Sequence, residues 1–258
     1  MFRVDFISLE PASYGWTAII PGFGLLSSEF PEPQLKIWDL ETHLKEGYTI
    51  FRHASATQEG IRIPIKPFLG VVGVAPEQKG EFSTVPPYET GGNIDCKHVT
   101  QGSKLFLPVK VAGALVSCGD GHAAQGEGEV CGTALETPMT ATVKLTLRKD
   151  MPWVKSPHYL TNPATSPSSY IPGGVFQPKG EYAALGIDPD LLEASKKALR
   201  GLLDWLMDVK GLTRVDAYLL ASVVSDLKIV EAVDMPHFAV ACSIPLNIFF
   251  GLEGEEWK

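Results

Sequence analysis

Thr140-Ala-Thr-Val-Lys-Leu-Thr-Leu-Arg148 decides the fold class. Ala141, Val143, Leu145 and Leu147 alternate with Thr140, Thr142, Lys144, Thr146 and Arg148. A period of two is the signature of a strand with one face turned to a core. The same pattern recurs upstream. Residues 2–9 begin with Phe2, Val4 and Phe6 against Arg3 and Asp5, Ile61, Ile63 and Ile65 alternate, and Leu105, Leu107, Val109 and Val111 mark a further strand, with Pro108 arguing for an edge or a bulge. The apolar run at 67–76 is interrupted by glycine and reads as a buried strand. Residues 14–24, rich in Gly and Pro, read as a tight loop carrying apolar side chains. With 25 glycines and 20 prolines in 258 residues, punctuation is too frequent for a helix bundle and suits short strands joined by turns.

The pattern changes near the C-terminus. Asp188-Pro189-Asp190 reads as a helix start with Asp188 as cap, followed by Leu191, Leu192, Ser195, Leu199, Leu202, Trp205, Leu206 and Val209 at helical spacing, and Gly211 as the stop. Thr213-Arg-Val-Asp216 resembles a capping box for a second helix bearing Val215, Leu219 and Val223 on one side. Strands around 229–233 and 238–244 follow. The fold expected is therefore α+β, a β-rich body of short strands with a helical pair near the C-terminus. The division expected is a β-rich part at 1–150 that carries the chemistry, a loop or lid connection at 151–187, and an α/β part at 188–258 packed on the same body.

A net charge of −8 and no cluster of Lys and Arg argue against nucleic acid or an anionic membrane as partner. No uninterrupted run of about 18 apolar residues appears, and the N-terminus lacks the layout of a signal peptide. Cys96, Cys118, Cys131 and Cys242 show no Cys-x-x-Cys spacing, so reduced thiols in the cytoplasm are expected.

The chemistry concentrates in residues 119–129, Gly-Asp-Gly-His-Ala-Ala-Gln-Gly-Glu-Gly-Glu, which read as a functional loop held between two strands. Asp120, His122, Glu127 and Glu129 share a backbone loosened by glycine. An Asp-x-His pair with nearby carboxylates suits a divalent metal or an acid/base site. Two further segments offer partners. Gly91-Gly-Asn-Ile-Asp-Cys96 supplies Asp95. Gly132-Thr-Ala-Leu-Glu136 supplies Glu136 in an apolar setting, where an unpaired charge is expensive. Cys118, four residues before His122, leaves a thiol nucleophile as a competing reading. Asp95 and Asp120 as turn residues, Glu136 in a structural ion pair and Glu127 in solvent are the plain alternatives. His53, His98, His158 and His237 stand in no spacing that selects them.

These segments, with Ile65-Lys-Pro-Phe-Leu-Gly-Val-Val-Gly-Val-Ala-Pro76, Tyr14-Gly-Trp-Thr-Ala-Ile-Ile-Pro-Gly-Phe-Gly24, Leu105-Phe-Leu-Pro-Val109 and Ser225-Asp-Leu-Lys-Ile229, resemble the acetamidase/formamidase family over nearly the whole chain. The resemblance implies hydrolysis of short aliphatic amides to carboxylate and ammonia with a divalent metal, zinc expected. It places the site at Asp95, Asp120, His122, Glu129 and Glu136. Asp95, His122 and Glu136 are expected as metal ligands (Asp120 being the alternative to Glu136), with Glu129 and Asp120 as catalytic groups. The run at 67–76 is expected to keep the pocket small. The family has a further N-terminal region ahead of the strand that here begins at Met1, which leaves a catalytically incomplete binding or assembly subunit as the alternative. A small amide is the expected partner, and a homo-oligomer the expected assembly.

Overall fold

The computed structural model describes residues 1–164 and 179–249. The strands in the first half are β1 (Phe2–Pro11), β2 (Tyr14–Ile19), β3 (Gln34–Asp39), β4 (Tyr48–Arg52), β5 (Ile61–Pro64), β6 (Phe68–Gly73), β7 (Pro87–Tyr88), β8 (Gly91–Asn93), β9 (Lys104–Leu107) and β10 (Ser117–Ala124). Then come β11 (Leu135–Glu136), β12 (Met139–Leu147), β13 (His158–Leu160), β14 (Glu181–Asp188), helices α1 (Leu191–Lys210) and α2 (Arg214–Val224), and strands β15 (Asp226–Glu231) and β16 (Phe238–Pro245). The strand-rich body with a helical pair late in the chain is the α+β architecture expected.

Two seven-stranded sheets carry the fold, in the orders β12-β1-β9-β13-β14-β16-β15 and β3-β2-β11-β10-β6-β8-β7. One core fills the space between them, with Val4, Phe6, Leu105 and Leu107 from the first sheet meeting Leu69, Val72 and Ile94 from the second. A second core lies on the other face of the first sheet, where Tyr182, Ala184, Val240 and Ile244 pack on Ala194, Ala198, Leu202 and Trp205 of α1. The layers are thus sheet, sheet, helices. Alternation explains the arrangement: β14 and β16 lie in the middle layer, so their odd and even positions are both buried.

That burial accounts for one correction. The stretch 151–187, expected as a loop or lid, contains β13 and β14 of the first sheet. Seven of the eight β14 positions are buried, so the strand shows no polar face and no alternation. Residues 165–178 of that expected connection lie outside the described residues. Two other expected loops are strands. Residues 14–19 form β2, and Ser117–Ala124, which includes Asp120 and His122, form β10. The strand expected to run through Pro108 ends at Leu107.

Helix α1 is capped by Asp190, not Asp188: its carboxylate accepts from the Glu193 N–H at 2.9 Å, while Asp188 accepts from the N–H of Asp190. Thr213 caps α2 as expected, its hydroxyl accepting from the Asp216 N–H at 3.1 Å, but the second bond is side chain to side chain: the same hydroxyl donates to the Asp216 carboxylate at 2.7 Å, in place of the backbone bond of a full capping box. Among the described residues no helix is long and apolar enough to cross a membrane.

Candidate active site

Strand β10 presents Asp120 and His122 two residues apart, hence on one face of the second sheet. His122 pairs with Glu136 on β11 and with Phe68 on β6, so these three side chains stand in one row. The imidazole Nε2 lies 3.0 Å from Glu136 Oε2 and 3.2 Å from Asp120 Oδ1. The Phe68 ring meets the imidazole edge-on at 4.9 Å. Asp95, beyond the end of β8, approaches the other nitrogen, with Oδ1 3.9 Å from Nδ1. Gln125 fixes that side of the ring: its amide nitrogen donates to the Asp95 carbonyl at 2.8 Å, and its Oε1 lies 2.9 Å from Nδ1. A carbonyl can only accept, so the Gln125 oxygen faces the ring and Nδ1 carries a proton. Nε2 is left to face the carboxylates.

The five expected site residues lie in one cluster, but the expected ligand trio of Asp95, His122 and Glu136 does not share a donor set. Three sets of donor atoms lie within 4.8 Å of one another: Asp95, Asp120 and His122; His122, Glu129 and Glu136; and Asp95, Glu129 and Asp234. Asp95 and Glu136 fall in no common set, because they address opposite nitrogens of His122. Asp234 was not singled out from the sequence. It lies just past β15, and its carboxylate accepts from the Asn93 amide at 2.6 Å. Glu231 orients it by accepting from the N–H groups of Val233 and Asp234. The apolar pair Ala232-Val233 ahead of it gives Asp234 an apolar setting, the signal that singled out Glu136.

Backbone geometry singles out the same residues. Among the described residues only five other than glycine take positive φ, and three are Asp95 (42°), Asp120 (59°) and Glu129 (47°). Each such residue costs roughly 1–3 kcal/mol, and such costs gather at functional sites. Gly70 of β6 lies beneath Asp95, Asp120 and His122. A Cβ there would collide with Asp95 Oδ1, with Asp120 Oδ2 at 2.6 Å and with His122 Cε1 at 3.0 Å. The absent side chain leaves a cradle roofed by two carboxylates and an imidazole.

Burial sets the electrostatics. Asp95 is held well above the usual carboxylate range, first by burial and then by the Glu129 charge. Glu129 is pushed up to about 8, mainly by burial, with His122 opposing and Glu136 and Asp234 adding. Asp234 is likewise raised, chiefly by burial. For His122 burial acts downward, but the Asp120 and Glu136 carboxylates outweigh it and raise the ring to about 11. Both oxygens of Asp95 are buried without a hydrogen-bond partner among the described residues. Orphaned buried carboxylate oxygens can be satisfied by a proton, a water or a cation. The donor set of carboxylates and one imidazole suits a divalent metal of the zinc class.

Glu127, whose plain alternative is a solvated side chain, instead pairs with His98 at 2.7 Å and Lys97 at 3.4 Å, outside the donor sets. Burial pushes the Cys96 thiol up to about 12 and that of Cys242 up to about 11, which leaves both as poor nucleophiles.

A model of the acetamidase/formamidase family matches residues 78–250, about two thirds of the chain and nearly all of this cluster. The chain belongs to that family. A formamidase of Methylophilus methylotrophus is 30% identical over 64% of this chain and 42% of its own length. An acetamidase of Mycolicibacterium smegmatis is 57% identical over 51 residues, 19% of this chain and 13% of its own. The chain spans less than half the length of these curated relatives. The crystal structure of an acetamidase from Bacillus halodurans superposes with a TM-score of 0.79 at 25% identity, over 96% of this chain and 74% of the other. Acetamidase/formamidase membership therefore rests on sequence and fold together.

Proposed function

We propose that this chain hydrolyses short aliphatic amides to carboxylate and ammonia, with a divalent cation, zinc by preference, held by Asp95, Asp120 and His122. The observation that carries the reading is the cradle above Gly70, where two carboxylates and an imidazole meet around space that any Cβ would fill. Family membership supports amide hydrolysis, and the unpartnered oxygens of Asp95 support the cation. When bound, such an ion supplies Lewis-acid polarisation of a carbonyl and acidification of water.

The chain's own residues do the rest. Gln125 accepts from Nδ1 of His122, so Nε2 is the nitrogen that would give up its proton and hold the cation. Glu136 flanks the same nitrogen, and its other oxygen accepts from the Ala134 N–H at 2.8 Å, which keeps the carboxylate from rotating away. Glu129 belongs to two of the three donor sets and stands between His122 and Asp234. That position suits it to take a proton from the attacking water and pass it to the departing nitrogen. Asp234, fixed by Asn93 and Glu231, faces Glu129 from the far side. The buried surroundings exclude bulk water from these transfers.

The test is ammonia release from formamide and acetamide before and after chelation, with zinc or manganese added back. Loss on chelation and recovery with metal are expected. Full activity in a verified metal-free sample removes the cation, and bound metal with no turnover on any amide favours the binding or assembly subunit.

A further inference from the structure

The row of side chains through His122 continues past Glu136. Glu136 pairs with Trp16 on β2, and Trp16 pairs with Ile37 on β3. Directly paired residues of antiparallel strands point to the same face. Phe68, His122, Glu136, Trp16 and Ile37 therefore form a single line across five adjacent strands. The two ends differ. On the β6 side the line is closed by Phe68, wholly buried and edge-on to the imidazole. On the β2 side it stays open: Trp16 is half-buried, Ile37 is 63% exposed, and the next residue of β3 on that face, Leu35, is 66% exposed. Among the described residues the Trp16 indole joins none of the core clusters, whereas Trp38 on the opposite face packs in one.

One face of the sheet thus changes from carboxylate and imidazole to open indole and aliphatic surface within the width of two strands, each about 4.8 Å. A carboxamide is divided in the same way, with a polar carbonyl and amine at one end and an alkyl substituent at the other. Resting on the amidase reading above, we propose that Trp16 contacts the substrate and determines its specificity. The amide group lies at His122, Glu129 and Glu136, and the alkyl substituent lies over the Trp16 indole, with Ile37 beyond it for longer chains. The substrate class is alkyl amides of two to four carbons in preference to formamide, which has no carbon to place on Trp16. The apolar run at 67–76 supplies the closed wall, and β2 with β3 supplies the open one.

The experiment measures kcat/KM for formamide, acetamide, propionamide and butyramide in the metal-loaded parent chain, Trp16→Ala, Trp16→Phe and Ile37→Ser, with thermal unfolding of each. Covering one methylene is worth about fourfold in binding. The parent is expected to gain by about that factor per carbon from formamide onward. Trp16→Ala flattens the series, with a loss that grows from formamide to butyramide, and Trp16→Phe restores part of the slope. Ile37→Ser, at an exposed site that does not endanger folding, lowers butyramide alone. If the variants lower all four amides equally, or leave the series unchanged in an active parent, Trp16 is not the specificity residue and the amidase reading stands. A parent that releases ammonia from no amide overturns the amidase reading and this assignment with it.

Discussion

The Gln125 side chain spans the gap between His122 and Asp95, accepting from the imidazole Nδ1 at 2.9 Å and donating to the Asp95 carbonyl at 2.8 Å. One amide therefore sets both the tautomer of the ring and the position of a backbone with positive φ. Gln125→Leu should lower kcat by about 10–100-fold, the usual cost of losing the partner behind a metal-binding histidine. Gln125→Glu, which still accepts from Nδ1, should retain more of the rate. Steady-state kinetics beside unfolding curves separates this from a loss of folding. Equal defects in the two variants would remove the tautomer argument.

Asp95 buries a carboxyl group among Glu129 and Asp234, and neither of its oxygens has a hydrogen-bond partner among the described residues. In chelator-treated protein, Asp95→Asn should therefore raise stability by about 1–3 kcal/mol while abolishing amide hydrolysis. Urea denaturation in the presence of chelator reads the first effect and ammonia release the second.

His158 is fully buried on β13, its Nδ1 2.7 Å from the Tyr182 hydroxyl, and burial pushes its pKa down to about 3. The unfolded chain protonates this ring near 6.5 and the folded chain does not. Stability is therefore complete above about pH 6.5 and falls by about 1.4 kcal/mol per unit as the pH drops toward 3. Between pH 6.5 and 5 the loss attributable to this ring is about 2 kcal/mol, and His158→Gln should remove it. Urea midpoints at the two pH values test the difference.

Glu181 and Lys228 form a 2.6 Å pair between β14 and β15, and the Glu181 carboxylate is almost wholly buried. Lys228→Met should destabilise by about 3–5 kcal/mol, because it leaves a charge without its partner. The double variant Glu181→Leu/Lys228→Met should recover most of that loss, as a thermodynamic cycle would show.

Much of this was readable from residue order. The alternation of Phe2, Val4 and Phe6 gave β1, with Val4 and Phe6 in the core, and the strand at 140–148 was found within a residue or two. The acids and imidazole of the site were readable because ionisable groups set among glycines have no folding purpose. Three things were not. Strand β14 is covered on both faces, so it lacks the alternation that reveals a strand. Strand β10 is written in Gly, Asp and His, residues with poor strand propensity, and is held by its neighbours β6 and β11. Asp234 and Glu231 reach the site through the pairing of β15 with β16 and a bridge from Glu231 to Gly128 of the motif, the latter a contact between segments far apart in sequence.

The left-handed backbone at positions 95, 120 and 129 has an implication for any laboratory selection. Glycine is the one residue that would relax those torsions, and it is also the one that erases the donor carried there. A population bred only for heat resistance will be drawn toward glycine at these sites and emerge tougher but inert, so screens on this scaffold must score turnover alongside melting.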